Sequence, residues 1–290
     1  MKTAIIFGVN GQDGFYLQTL LEEDGFEVRG VSRNNPQCNI AQYDDVCALV
    51  QETSPSYIFH LAANSTTNHA ALFENHATIS TGTLNILEAV KNFSPFTKVF
   101  ISGSGLQFEN NDAPIKETDS FDARDPYSVS RIQSVYAARY YRRLGLKVYV
   151  GYFFNHDSPR RSERHMAKKI SEFTRRVAAG SNEKLEIGDV TVIKEWTYAG
   201  DVVKGAWTLV NQDAIFEANI GSGLGYSIAE WLDVCFELIG KNWREHVILK
   251  GDFTPEYKML VSDPALIQSL GWRPQVSLRE LAQKMLDLKS

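Results

Sequence analysis

Three stretches of the 290-residue chain carry residue types and spacings that could do chemistry. The first is Gly8-Val9-Asn10-Gly11-Gln12-Asp13-Gly14, a glycine triplet that directly follows the apolar run Thr3 to Phe7. That run has the length of a buried strand, and after Gly14 the apolar positions Phe15, Leu17, Leu20 and Leu21 take helical spacing. Strand, glycine turn and helix together aim backbone N–H groups and a helix N-terminus at a pyrophosphate. Gly8 permits the tight turn, Gly11 removes a Cβ where phosphate must approach, and Gly14 lets helix and strand pack closely. The second stretch is Arg33, after a strand predicted over Phe26 to Ser32. Many dinucleotide sites place an acid here to bond a ribose 2′-hydroxyl. Gly30-Val31-Ser32-Arg33-Asn34-Asn35 has none, and a planar guanidinium can pair with a 2′-phosphate. This favours NADP(H) over NAD(H). The third stretch is Tyr127 and Arg131, four apart on a helix that Asp125 caps and Pro126 opens. A phenol needs a neighbouring cation to exchange protons near neutral pH.

The elements that must position these groups read as alternating strands and helices. Helices are predicted over Tyr43 to Glu52, Ala70 to Phe93 and Tyr127 to Leu144, and strands over Tyr57 to Leu61, Lys98 to Ser102 and Lys147 to Phe154. This predicts an α/β fold with a parallel, doubly wound sheet of Rossmann type. The small residues after the third strand, Leu61-Ala62-Ala63-Asn64-Ser65, leave room for a ligand in the crevice at the strand ends. Asn39 and Ile40 can flank an adenine. Beyond about residue 155 the pattern loosens. Helices are predicted over Met166 to Ala179, Val202 to Asn211, Ile228 to Ile239 and Leu278 to Leu288, with a strand and turn over Ala218 to Gly223. The expected division is a dinucleotide-binding unit over 1–154, with later elements interleaved, and a smaller substrate lobe over 155–290.

Composition narrows the classes. Hydrophobic residues make up 43% and charged residues 22%, an ordinary globular balance, and the net charge of −5 argues against a general nucleic-acid or membrane-surface binder. Cys38, Cys47 and Cys235 are odd in number and lack metal-ligand spacing, as expected of reduced thiols in the cytoplasm. The first apolar run enters a glycine turn, so it does not read as a signal peptide, and no apolar run has the length of a membrane helix. His60, His69 and His76 lack supporting carboxylates, and no metal site is expected. Tyr136, Tyr140 and Tyr141 read as core or as a surface for pairing.

Taken together, these stretches resemble the extended short-chain dehydrogenases/reductases that act on nucleotide sugars, and among them most of all the GDP-mannose 4,6-dehydratases. The likeness runs through Gly8 to Gly14, Leu61 to Ser65, Tyr127 with its partner at +4, Phe154-Asn155-His156-Asp157-Ser158-Pro159-Arg160-Arg161, Trp196 to Asp201, and Asp263-Pro264 before Leu270-Gly271-Trp272. The glycine motif is common to many families, and the Asn155 to Arg161 stretch carries the finer assignment. The resemblance implies that Tyr127 exchanges a proton with the sugar 4-oxygen, that Ser104 hydrogen-bonds the same oxygen, and that Arg131 completes the catalytic group. It implies cofactor contacts from Asn10, Gln12, Asp13, Arg33, Asn34, Asn39, Ile40, Leu61, Ala62, Ala63, Ser65, His156 and Arg161, beside the glycines. Asn155, Arg160, Lys168 and Lys194 are expected on the side of a nucleotide-diphosphate sugar, GDP-linked by resemblance. The same likeness implies a homodimer or tetramer.

The chain also departs from that family. The usual Lys four residues after the tyrosine is Arg131, which stays protonated and has a different donor geometry. The dehydratases carry Thr, any residue, then Glu, with an aromatic two further on. Aligning Phe108 as that aromatic puts Ser104 at the Thr and Leu106 at the Glu; a shift by one puts Gly105 there. In that family the glutamate removes the C5 proton in the elimination of water. The Arg often found before Asp-Pro is also missing around Phe253 to Glu256. A 4-keto reductase or an epimerase working at C4 therefore fits the residues better than a dehydratase. The other readings are a dehydratase with a displaced acid/base, Glu109 being near in sequence, and an NADP-binding protein without turnover.

Overall fold

A computed structural model describes residues 2–33 and 38–287 of the chain. The first half builds β1 (Thr3–Phe7), α1 (Gln12–Glu23), β2 (Glu27–Val31), α2 (Tyr43–Thr53), β3 (Tyr57–His60), a short α3 (Leu72–Asn75), α4 (Gly82–Phe93), β4 (Lys98–Ser104), α5 (Pro126–Arg143) and β5 (Val148–Phe153). There follow β6 (His156–Asp157), α6 (Met166–Ala178), β7 (Leu185–Ile187), β8 (Ile193–Lys194), β9 (Thr197–Tyr198), α7 (Ala199–Val210) and β10 (Glu217–Ile220). The chain closes with β11 (Tyr226–Ser227), α8 (Ile228–Glu237), β12 (Val247–Leu249), β13 (Met259–Leu260), α9 (Ala265–Ser269) and α10 (Leu278–Leu286).

The main sheet has six strands in the order β10-β5-β4-β3-β1-β2, every neighbouring pair parallel. Its central strands are apolar on both faces, as strands between two helix layers must be. Ile5, Phe7, Ile58, Val99, Ile101 and Val148 face α2, α4 and α5. The alternate residues Ala4, Ile6, Phe59, Phe100 and Tyr149 face α1 and α7. The strand order reverses between β1 and β3, so a crevice opens beyond their carboxyl ends. A separate core made by α6, α8 and α10 carries Trp231, stacked on Trp196 at 4.8 Å between ring centroids. The buried Glu195 ties this core to the sheet: it accepts from Ser262 N–H (2.7 Å), Ser262 Oγ (2.6 Å) and Gly223 N–H (3.2 Å).

Two expectations change in detail. Helix α1 begins at Gln12, so Gly14 lies inside its first turn. The helix expected over Ala70 to Phe93 is broken into a 3-10 turn at His69–Ala71, α3, a π turn at His76–Thr81, and α4. Side chains there bond another helix: Ser80 Oγ donates to Gln133 Oε1 at 2.7 Å, and Thr83 Oγ1 to Ser134 Oγ at 3.0 Å, both on α5. Elements beyond 155 are interleaved with the first unit: α7, β10, Ile267 and Trp272 pack into the core around α1.

Asp125 caps α5 as expected, its Oδ1 accepting from the N–H groups of Tyr127 (2.8 Å) and Ser128 (2.9 Å). Asp125→Ala should lower unfolding free energy by about 1–2 kcal/mol in chemical denaturation, the range for a lost N-cap; an unchanged midpoint would mean the cap does not hold this helix.

Candidate active site

The glycine turn is crowded in the way close packing requires. Gly8 has φ +95°, and a Cβ there would come within 2.7 Å of the Ala62 backbone nitrogen. A Cβ on Gly14 would come within 2.6 Å of Val9 Cα and would also strike the Gly8 carbonyl. Above the turn lie two adjoining cavities of about 670 and 640 Å³ that share Gly8, Asn10, Gly11, Leu61 and Ala63. The larger holds Ser104, Tyr127, Arg131, Asn155, His156, Arg160 and Arg161, with Gln12, Asp13, Gly14 and Ser65. The smaller holds Arg33, Asn39, Ile40 and Ala62. Asn34 lies outside the described residues. Lys168 and Lys194 line neither cavity. Lys168 pairs with Glu172 one turn along α6 at 2.7 Å, and Lys194 is buried with its ammonium 4.5 Å from the Trp196 ring centre. Burial pushes the Lys194 pKa down against the pull of Asp157.

Tyr127 sits in the first turn of α5, with the Arg131 guanidinium 5.0 Å from its ring centre. Arg131 is only 4% exposed. Its Nη1 donates to Ser102 Oγ at 2.9 Å and to the Ser102 carbonyl, while its buried Nε has no protein partner among the described residues. Ser104 Oγ accepts from Leu106 N–H at 3.2 Å. An acceptor role leaves the hydroxyl proton free to donate into the cavity.

Further along the crevice a buried ion pair fixes the turn. His156 Nε2 lies 2.9 Å from Asp13 Oδ1 and its Nδ1 lies 2.7 Å from the Phe154 carbonyl. Two acceptors around one ring favour the imidazolium, which donates from both nitrogens. Burial alone would push His156 down, but Asp13 outweighs it and the pKa is raised; Asp13 is lowered by His156 and Arg161 against its own burial. Arg160 stacks on Phe15 of α1 at 3.3 Å. Arg161 Nε lies 3.5 Å from Asp157. The Ser65 hydroxyl accepts from Arg164 Nη2 at 3.1 Å. Arg164 and His165 line the larger cavity, and neither stands out from sequence, although both belong to the polar, basic run after Asn155. Burial first, then Arg161 and Arg164, hold His165 down to about 3. The Asn155 Oδ1 is buried with no partner among the described residues. Arg160, Arg161 and Arg164 make this part of the cavity wall strongly basic.

The sequence profile described as GDP-mannose 4,6 dehydratase matches residues 36–285, and GDP-mannose 4,6 dehydratase 1 of Arabidopsis thaliana is 31% identical over 324 residues, covering 99% of this chain and 89% of that protein. The chain belongs to the GDP-mannose 4,6-dehydratase family. Two solved structures share its fold. RMD from Pseudomonas aeruginosa, complexed with NADPH, aligns with a TM-score of 0.85 at 21% identity, covering 99% of this chain and 98% of that one. UDP-glucose 4-epimerase of Thermus thermophilus, complexed with NAD, aligns with a TM-score of 0.82 at 22% identity, covering 98% of each chain.

Leu106, at the expected glutamate position, lines the cavity near Tyr127. Gly105 offers no alternative, since a Cβ there would come within 2.8 Å of the Phe154 ring. Glu109 is exposed and lines neither cavity, which corrects the idea that it supplies a displaced base. Asp13 is the one carboxylate among the described residues lining the larger cavity, and it is committed to His156. Where the family often has an arginine, Glu256 accepts from Thr67 Oγ1 at 3.3 Å.

The Asp13–His156 pair sets a pH window. His156, raised above 6.5, contributes fully below that pH and loses its contribution as pH rises through its folded value; Asp13, lowered below 3.8, contributes above 3.8 and loses it as pH falls. The melting-temperature gap between the unmodified protein and His156→Gln should therefore be widest between about pH 4 and 6.5 and narrow as pH rises above that window. A gap that does not change with pH would show that the pair is not ionised.

Proposed function

We propose that this chain is an NADP(H)-dependent nucleotide-sugar oxidoreductase acting at sugar C4, a 4-keto reductase or an epimerase, with a GDP-linked hexose as substrate. The observation that carries this reading is the cavity wall: Ser104, Tyr127 and Arg131 converge on one space, and no free carboxylate stands beside them among the described residues. Redox chemistry at C4 needs the first three groups. Elimination across C5 and C6 needs a base, and a positioned base contributes roughly 10²–10⁴-fold.

The residues fit a dinucleotide. The glycine turn gives a phosphate close access to backbone N–H groups, and Arg33 stands on the smaller cavity. The buried, unpartnered Nε of Arg131 suits a hydroxyl acceptor of the nicotinamide ribose. When bound, the nicotinamide supplies the hydride chemistry. Tyr127 exchanges the proton at the sugar 4-oxygen, and Ser104 donates to the same oxygen while keeping its hold on Leu106 N–H. The Arg131 charge stabilises negative charge developing there. Asn155, Arg160, Arg161 and Arg164 offer donors and charge to the sugar diphosphate. The retained Ser104 and Tyr127 disfavour a protein that only binds cofactor, because binding requires neither proton donor.

This reading assigns the dinucleotide to 1–154 with α7 and β10 returned to it, and the nucleotide sugar to the lobe over 155–290. Exposed Leu84, Tyr136 and Tyr140 on α4 and α5 supply an apolar face for pairing with a second copy, as a dimer or a dimer of dimers. Three free, buried cysteines suit a reducing cytoplasm.

Two parallel assays test the reading. GDP-mannose with catalytic NADP should give no 4-keto-6-deoxy product, and a GDP-4-keto-6-deoxy sugar should consume NADPH; product in the first assay would restore the dehydratase. Tyr127→Phe should lower turnover by about 10²-fold or more while leaving NADPH affinity within roughly threefold. Unchanged turnover would remove Tyr127 from the mechanism.

A further inference from the structure

The smaller cavity contains an acid that sequence reading did not anticipate. Arg33 and Glu74 both line it, and Arg33 Nη1 lies 2.7 Å from Glu74 Oε1. Arg33 follows β2, whereas Glu74 comes from α3, beyond the next strand. The carboxylate is held from a second side: Asn64 Nδ2 donates to Glu74 Oε2 at 2.8 Å. Asn64 Oδ1 in turn accepts from Arg164 Nη1 at 3.4 Å. Glu74 is thus held to the loop after β3 by a bond independent of Arg33.

The side chains of Arg33 and Glu74 are 70% and 40% exposed, so water screens their attraction and the pair itself is weak. The fixed position of the negative charge matters more. An anion drawn to Arg33 must either take the guanidinium from Glu74 or sit beside a like charge. A ribose 2′-hydroxyl meets no such opposition, because it can donate to the carboxylate.

We propose that Glu74 is a specificity-determining residue for the cofactor ribose, opposing a 2′-phosphate and accepting from a 2′-hydroxyl. It narrows the preference for NADP(H) that Arg33 creates. The inference rests on the cofactor reading above and adds to it a second residue that acts in the opposite direction.

Dissociation constants for NADPH and NADH, measured on the unmodified protein, Glu74→Gln and Glu74→Ala, test it. Both variants should tighten NADPH by about tenfold and leave NADH unchanged or weaker, so that the ratio of the two constants shifts by about tenfold or more. The NADPH gain should shrink between about 0.05 M and 0.5 M salt, as a charge effect does. A ratio that moves less than about twofold in both variants, or an equal gain for both cofactors, overturns the assignment. Failure of the unmodified protein to bind either cofactor overturns the cofactor reading, and this inference with it.

Discussion

A guanidinium buried where β4 meets α5 organises the site. Arg131 cannot leave water without partners, since an uncompensated buried charge costs several kcal/mol. Its Nη1 finds them at Ser102, on both hydroxyl and carbonyl. The Ser102 hydroxyl passes the connection on by donating to the His60 carbonyl at 3.0 Å. One side chain therefore ties α5 to β4 and, through Ser102, to the end of β3. That tie sets α5 over the crevice and places Tyr127, one turn earlier, at its wall. The same charge acts on its neighbour: burial first, then Arg131, hold the His60 imidazole down to about 3, so it stays neutral in the core. A lysine has one donor centre at the end of a flexible stem. Arginine spreads donors over a plane, which allows one nitrogen to be spent on Ser102 while Nε remains for a ligand.

The cavity's charge balance explains the rest of its chemistry. Arg131, Arg160, Arg161 and Arg164 share one volume with His156; among the described residues lining it Asp13 is the one carboxylate, and Asp157 lies 3.5 Å from Arg161 behind the wall. Burial first, and then the like charges of Arg161 and Arg164, hold His165 far below its ordinary pKa. Such a site is costly empty and gains on taking up anions, the condition expected of a crevice made for diphosphates. Arg160 stacks on Phe15, so that its charge is anchored to α1, whose N-terminal turn lines the same cavity.

The sheet was legible from sequence because buried parallel strands read as continuous apolar runs. Thr3–Phe7 has the expected bounds, and the strand from Lys98 runs two residues further than expected, to Ser104. The glycine turn, the Asp125 cap and the Tyr127–Arg131 pair were legible because each depends on neighbours within one or two turns. What the sequence did not show depends on distant partners. The π turn at His76–Thr81 answers to hydroxyl bonds with α5. Interleaving of later elements was expected, but that α7 and β10 are the ones that pack with α1 is a matter of tertiary contact. Lys168 and Lys194 carry the right charge for a diphosphate, yet Glu172 and the Trp196 ring claim them. Arg33 was legible as a cation, but its partner Glu74 lies 41 positions along the chain, and no local pattern announces such a pair.

Leu106 shows how family membership and chemistry separate. The fold, the glycine turn and the placement of Tyr127 follow from elements spread over the whole chain, so they survive individual substitutions. The position where the sequence reading expects an elimination base, Leu106, lies on a short 3-10 turn, and that turn is held by Ser104 and Gln107 acting as a capping box, independently of the residue at 106. Replacing an acid with leucine there removes a charge from the wall without disturbing what holds the turn. The Ser104 hydroxyl keeps both its structural bond and its free proton. A framework of this kind can lose elimination while keeping redox chemistry at C4, because the two reactions draw on different side chains of the same cavity.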